Sequence, residues 1–218
     1  MEVVDEIYDL LQAHANRDKV MNLTCYTLKF LGATTDRKSL LTASARVAAA
    51  RACLRLYDDA AYLKTTLKYG LRKQEGPLWG SLGVTFNLFT LSYLQAEKLM
   101  FLIDTGLLVV NSDIEFKIRT AHKLFWSLFS FVGLLRSIRA LHVSAQALNS
   151  SSRTKCAPAR FVQASLTSTK ALLDVIHTVS WLPPGWLWGS SLSTQKASGI
   201  ATLSAIIGLV LHYHAKQF

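Results

Sequence analysis

An uncharged apolar segment near the end of the chain, residues 199–211, limits most strongly what this sequence can fold into. Extended to Tyr213, it approaches the roughly 20 residues that a helix needs to cross the hydrocarbon core of a bilayer. Two histidines and Lys216 follow this segment and give it a polar C-terminal end. Because such a segment is too apolar to remain in water, we predict a final membrane span at about 198–215.

The composition of the whole chain favours a helical membrane protein. Apolar residues make up 50% of the 218 residues and charged residues 17%, against roughly 25% charged in typical soluble chains. This excludes a disordered protein, which needs low hydrophobicity and high charge. The net charge is +10, which suggests nucleic acid or anionic lipid as partner. The high apolar fraction and the absence of a compact Lys/Arg run favour anionic lipid and predict no nucleic acid partner.

Few residues interrupt helical periodicity, since the chain has 11 glycines and 4 prolines. We therefore predict an all-α fold, a membrane-associated helical bundle with amphipathic cytosolic helices and one or two transmembrane helices. The predicted helices cover residues 2–14, a second helix capped by Asn16, and then 39–73, 78–110, 114–148, 161–182 and the final span. Tryptophans 181, 186 and 188 cluster near Pro183-Pro184-Gly185, as is typical of an aromatic belt at a membrane surface.

The predicted helix 39–73 has the clearest amphipathic pattern. At about 100° per residue, leucines and alanines fall on one side and basic residues on the flanks and opposite side. The helix either packs in a bundle core or inserts into one leaflet, with its basic flanks on anionic headgroups. If the helix inserts into a leaflet, the apolar stripe that enters the membrane consists of Leu56, Leu63, Leu67 and Leu71. The predicted lipid-phosphate contacts are Arg51, Arg55, Lys64, Lys68 and Arg72.

The pattern divides the chain into four regions. Residues 1–75 form an N-terminal amphipathic helical region, and 76–148 form an apolar helical hairpin. A polar basic linker at 149–160 precedes the C-terminal helix and final span at 161–218. The hairpin contains a predicted first span near 121–141, in which basic residues at both ends extend a short uncharged centre by snorkelling.

The sequence predicts no enzyme, no cofactor and no metal site. It contains no phosphate-binding loop, nucleophile elbow or dinucleotide-binding motif. Its three cysteines are far apart in the sequence, which argues against a disulfide framework. Glu97 and Asp104 lie within an apolar helix, where charged residues often mark an ion pathway. An oligomeric channel for small metabolites is therefore an alternative function, and a passive scaffold that recruits other factors is a second one.

Several short motifs occur in a fixed order along most of the chain. They are Arg17–Lys19 with Tyr26–Leu31, Leu54–Asp59 with Lys68–Leu71, Asn87–Glu97, and Trp181–Trp188. Together they resemble the peroxisomal membrane protein 11 family, also called peroxisomal biogenesis factor 11, and most closely its gamma type. The linker at 149–160 departs from the family pattern.

The resemblance implies a multi-pass protein of the peroxisomal membrane that elongates and remodels this membrane during peroxisome division and proliferation. It implies two spans with both termini in the cytosol, self-association, and contacts with a dynamin-related fission GTPase and its tail-anchored adaptor. The membrane-bending helix of the family corresponds to 39–73. This topology places 142–196 inside the peroxisome, whereas the positive-inside rule places such a basic segment in the cytosol.

Overall fold

The computed structural model describes residue 8 and residues 11–69, 76–150 and 155–216, which form helices and turns without a strand. The predicted all-α fold is confirmed. The helices are α1 (His14–Thr34), α2 (Lys38–Leu54), a 3-10 turn (Arg55–Tyr57), α3 (Asp58–Tyr69), α4 (Pro77–Asp104), α5 (Ser112–Asn149), α6 (Ala157–Val179) and α7 (Thr194–Lys216).

Local sequence signals explain where three of these helices begin. Pro77 opens α4 directly after Gly76, whose φ of 85° is accessible to glycine at no steric cost. The Asn111 side chain caps α5 by accepting a hydrogen bond from the backbone N–H of Ile114 at 2.8 Å. Pro158 lies in the first turn of α6, where its missing N–H costs nothing.

Three predicted boundaries are wrong. The predicted helix 39–73 is interrupted by the 3-10 turn at Arg55–Tyr57. Arg51 before the turn and Arg55 in it bind carboxylates on different helices. Asn16 is not a cap, since α1 begins at His14 and the Asn16 side chain accepts a hydrogen bond from Lys19 instead. The predicted linker ends early, as α6 begins at Ala157. Most of the predicted helix 2–14 lies outside the described residues.

Helices α4 to α7 form a bundle in which consecutive helices run in opposite directions. Asp104 at the end of α4 pairs with Arg119 near the start of α5 at 2.5 Å. The Ser168 hydroxyl of α6 donates to the carbonyl of Ser137 on α5 at 3.0 Å. The ring of Phe86, nearer the start of α4, contacts that of Phe129 on α5.

The other helices attach to the side of this bundle. Helix α1 packs against α2 and α7, and α3 contacts α4. The ring of Tyr26 on α1 meets that of His177 on α6 with centroids 5.0 Å apart. Phe30 lies against Gly199, where an added Cβ would come within 3.2 Å of its ring.

The buried faces of α5 and α7 consist mainly of small residues, while a core cluster of Val175, Val179 and Leu182 lies at the end of α6. The buried face of α7 consists of Ala197, Ser198, Ala201, Ser204 and Ala205, and α5 buries Ser127, Ser130, Val132 and Ser137. Membrane helices pack in this way, because lipid tails are as apolar as leucine and small residues let two backbones approach closely.

Candidate membrane interface

Two of the described helices are long and apolar enough to cross a membrane. They are Ser112–Asn149 and Thr194–His214. Both predicted spans, 121–141 and 198–215, fall on these helices. Helix α4 does not meet the same criterion of length and hydropathy.

The outward faces of these two helices carry large apolar side chains. On α7, Leu203, Ile206, Val210 and Tyr213 are each 40–50% exposed. On α5, Leu135, Ile138 and Val143 are each about half exposed. A continuous apolar surface of this kind indicates contact with lipid or protein.

The tryptophan cluster lies at one end of the bundle, where α6 joins α7. The Trp188 indole donates to the carbonyl of Ile176 at 3.0 Å, and Trp181 donates to the ring of His177 at 3.3 Å. The Lys29 ammonium lies 4.2 Å from the centroid of Trp181. These contacts hold two indoles against the bundle, while Trp186 remains 46% exposed.

Helix α3 presents the predicted apolar stripe to the outside. Leu63 is 49% exposed and Leu67 is 75% exposed, and both lie on one face. Lys64 and Lys68 beside them are also exposed, and Leu56 is half-buried in the 3-10 turn. The face is therefore not buried in the core of this chain. Leu71 and Arg72 lie outside the described residues.

Arg51 and Arg55 are held by carboxylates of neighbouring helices. Arg51 binds both carboxylate oxygens of Asp18 on α1, at 2.9 and 3.1 Å. Arg55 binds Glu97 and the hydroxyl of Tyr93 on α4. Each guanidinium thus joins two helices of the chain, and the predicted lipid contacts at Arg51 and Arg55 stay predictions. The predicted lipid contacts at Lys64 and Lys68 remain predictions.

The first turn of α3 is anchored as well. Asp59 accepts hydrogen bonds from Lys98 at 2.6 Å and from Gln95 at 3.2 Å, both on α4. These hydrogen bonds, with the charge of Lys98, lower the pKa of Asp59. Asp58 lies 3.6 Å from His14 on α1. The helix is thus fixed at its start, and the exposed stripe residues Leu63 and Leu67 follow this anchored turn.

Asp18 connects α1 to α2 through its ion pair. Burial raises the pKa of this carboxyl, but the hydrogen bond from Arg51 and its charge outweigh burial and leave the pKa below the ordinary value of 3.8. Sequence reasoning missed Asp18 and Glu97 as anchors because they lie 33 and 42 positions from their partners. Helix periodicity alone carries no signal for such contacts.

The described residues contain no group of three or more His, Cys, Asp or Glu side chains placed to hold a metal. Cys25, Cys53 and Cys156 are free thiols. The site is therefore built from apolar, aromatic and basic side chains, which suit a lipid surface.

A model of the peroxisomal biogenesis factor 11 family matches residues 4–212. The chain belongs to the peroxisomal biogenesis factor 11 family. The match covers nearly the whole chain and confirms the resemblance carried by the motifs. The family model describes its members as peroxisomal biogenesis factors.

Two curated relatives align over almost their full length. The chain is 26% identical to peroxisomal membrane protein 11C of Mus musculus, over 95% of this chain and 93% of the relative. It is 25% identical to the protein of the same name from Homo sapiens, over 91% of this chain and 90% of the relative. No solved structure matches the chain. These peroxisomal relatives agree with the two candidate spans in indicating a membrane protein.

Proposed function

We propose that the protein elongates and remodels the peroxisomal membrane by inserting α3 into its cytosolic leaflet. The observation that carries this proposal is the exposed pair Leu63 and Leu67, flanked by the exposed bases Lys64 and Lys68. A helix with these two faces lies at the boundary between headgroups and acyl chains. Membership of a peroxisome biogenesis family supports the peroxisomal membrane as the one on which the helix acts.

Insertion on one side of a bilayer changes the area of that leaflet alone. Each inserted α3 adds area to the cytosolic leaflet, which favours positive curvature. The anchors at Arg55 and Asp59 connect the first turn of α3 to α4, so the inserted helix stays coupled to the bundle. Self-association would then concentrate the wedges and draw the membrane into a tubule.

We further propose that the chain crosses the membrane more than once, with both termini in the cytosol. This places α3 and the chain ends where a dynamin-related fission GTPase and its tail-anchored adaptor can reach them. Elongation would thus precede fission.

The ion pairs of α4 favour this function over a metabolite channel. Glu97 binds Arg55, and Asp104 binds Arg119. The Glu97 carboxylate is largely buried, whereas an ion pathway needs acidic groups that face water. Asp104 is exposed, but it lies at the very end of α4 and is paired there. A passive scaffold would need no lipid-facing stripe on α3.

Expression in cells that lack their own family members tests the function. Wild-type protein should lengthen peroxisomes before they divide, visible by fluorescence microscopy when fission is blocked. If the wild-type chain leaves their length unchanged while it is correctly inserted, the proposed function is wrong.

A further inference from the structure

We propose that α4 carries a docking surface for the apolar stripe of α3, so that the stripe has two alternative partners, α4 and lipid. Without anionic lipid α3 closes onto α4, and on an anionic membrane it swings out and inserts. This inference rests on the proposed function and adds its regulation, because it names what covers the stripe before insertion. The docking surface consists of Val84, Leu88 and Leu91.

Helix α3 is attached to α4 at one end only. In its first turn, Asp59 accepts hydrogen bonds from Lys98 and Gln95 of α4, at 2.6 and 3.2 Å. We call these two contacts the clasp. Beyond the clasp, nine of the ten residues 60–69 are exposed. The rest of α3 can therefore change its angle to α4 while the clasp stays in place.

The length of the connecting chain fixes the direction in which α3 points. Along α4, Gly76 and Lys98 are about 33 Å apart at a rise of 1.5 Å per residue. Residues 70–75 join Tyr69 to Gly76 and can bridge at most about 25 Å. If α3 pointed away from Gly76, or at right angles to α4, Tyr69 would lie beyond this reach. Helix α3 therefore runs back along α4, antiparallel to it.

The stripe lies on the side of α3 that meets α4 at the clasp. Asp59, Leu63 and Leu67 follow one another at intervals of four residues, which places them on one side of the helix. Exposure rises along this side, from 28% for the Asp59 side chain to 49% for Leu63 and 75% for Leu67. Helix α3 thus separates further from α4 with each turn beyond the clasp.

Helix α4 has an apolar face on the matching side. Leu91, Leu88 and Val84 precede Gln95 at intervals of three or four residues and therefore share its face. Leu88 is 58% exposed, and the other two are half-buried. Tyr93, on the side of α4 that packs against α5, is buried instead. The face that begins at the clasp is thus apolar and accessible to the stripe.

The two apolar faces are in register. In an antiparallel pair, each turn that α3 advances beyond Asp59 corresponds to one turn back from Gln95 on α4. Leu63 then lies level with Leu91, and Leu67 lies level with Leu88. A rotation of α3 about the clasp brings the members of each pair together and buries them.

Charge selects between the two partners of the stripe. Closure and insertion both remove the same leucine surface from water, so the hydrophobic effect by itself favours neither strongly. Lys64 and Lys68 are exposed beside the stripe, and an anionic surface attracts both of them. A ligand shifts an equilibrium only through its differential affinity for the two states. Anionic lipid therefore favours the open state, and α3 closes where such lipid is absent.

A reversible cross-link tests the docking surface. Leu67→Cys and Leu88→Cys are combined in the full chain, with the three native cysteines changed to serine. The protein is reconstituted into vesicles of phosphatidylcholine alone, or of phosphatidylcholine with phosphatidylserine, and a mild oxidant is added. The matched control combines Leu88→Cys with Ala61→Cys, which lies on the opposite side of α3. Disulfide formation is followed by electrophoresis without reductant.

On neutral vesicles we expect the 67–88 pair to form its disulfide clearly faster than the control pair. On anionic vesicles its rate should fall by about tenfold or more, since two bases near such a surface shift the equilibrium by roughly 30-fold. Protein locked by the disulfide should leave anionic vesicles round, and reduction should restore tubules. A 67–88 pair that links no faster than the control would show that α3 does not close on α4.

Equal rates on the two kinds of vesicle would show that lipid does not compete for the stripe, and would also overturn the proposal. The wild-type chain separates this result from the proposed function. If it forms tubules while the 67–88 pair never links, the docking surface is wrong and the function stands. If it forms no tubules while cross-linking still depends on the lipid, the function is wrong and the docking surface stands.

Discussion

The apolar stripe of α3 can be disrupted without shortening the helix. Leu63→Glu and Leu67→Glu replace the two most exposed stripe leucines with good helix formers. Burying a whole leucine side chain is worth roughly 2 kcal/mol. Scaled by exposed fractions of 49% and 75%, insertion of the pair contributes about 2.5 kcal/mol.

This free energy corresponds to a roughly 70-fold change in membrane affinity, since each 1.4 kcal/mol or so is a factor of ten. The added carboxylates also repel anionic lipid. We therefore expect the double variant to lose at least this factor in the binding of a 39–73 peptide to anionic vesicles. In the full chain, peroxisome elongation should be abolished while the organelle address is kept.

A matched control carries the same charges at the same spacing on the opposite side of α3. Ala61→Glu and Thr65→Glu alter two exposed positions four residues apart. They add the same net charge without touching the stripe. We expect this variant to bind about as the wild type does on neutral vesicles, and to retain clearly more elongation activity than the stripe variant.

Vesicle co-sedimentation measures the affinity, and light microscopy measures peroxisome length. The reasoning is refuted if the stripe variant binds and elongates as well as the control variant does. The exposed leucines would then serve contact with another protein, and the passive scaffold would become the better account.

Three further predictions follow from the same contacts. The double change Lys64→Ala and Lys68→Ala should weaken binding to anionic vesicles by about 30-fold, because each base contributes about 1 kcal/mol. Binding to neutral vesicles should stay nearly unchanged. An equal loss of affinity for the two kinds of vesicle would contradict a role in headgroup binding. Because the pKa of Asp18 is lowered, its stabilising contribution is complete above its ordinary value of 3.8 and is lost as the pH falls through the lowered pKa. Cys25 is buried between α1 and α2 and should therefore become reactive below about pH 4 to a disulfide reagent that works in acid. Asp18→Asn should raise the reactivity of Cys25 at neutral pH by roughly 5- to 30-fold, for a loss of about 1–2 kcal/mol in stability. If the reactivity of Cys25 in the wild type does not change in acid, the ion-pair argument is wrong. Glu97→Gln with Asp104→Asn should leave metabolite flux through reconstituted vesicles unchanged, and an altered flux with normal elongation would favour the channel.

The sequence was sufficient for the features that depend on local periodicity. Uncharged length predicted the helices that carry both candidate spans. The spacing of leucines predicted a stripe that inserts into lipid; Leu63 and Leu67 are exposed, and their insertion stays a prediction. Helix starts marked by strong local signals, such as Asn111, were also predictable. The all-α class followed from apolar content and the scarcity of glycine and proline.

Features that depend on tertiary partners were not predictable in this way. The break at Arg55–Tyr57 coincides with ion pairs of Arg51 and Arg55 to acids on different helices, far away in the sequence. The direction of α5 relative to α7 depends on how α6 folds back, which periodicity does not record. Lys170 and Asp174 lower the hydropathy of α6, although the two side chains form an ion pair in the structure.

The depth of α3 in the membrane tests the central claim most directly. Spin labels can be placed singly at positions 61, 63, 65 and 67 of the otherwise cysteine-free full chain, in anionic vesicles that are being drawn into tubules. We predict that labels at 63 and 67 are accessible to oxygen in the acyl region and shielded from a water-soluble relaxation agent, while labels at 61 and 65 show the opposite. If all four labels remain in water while tubules form, α3 does not insert, and the account of membrane elongation given above is wrong.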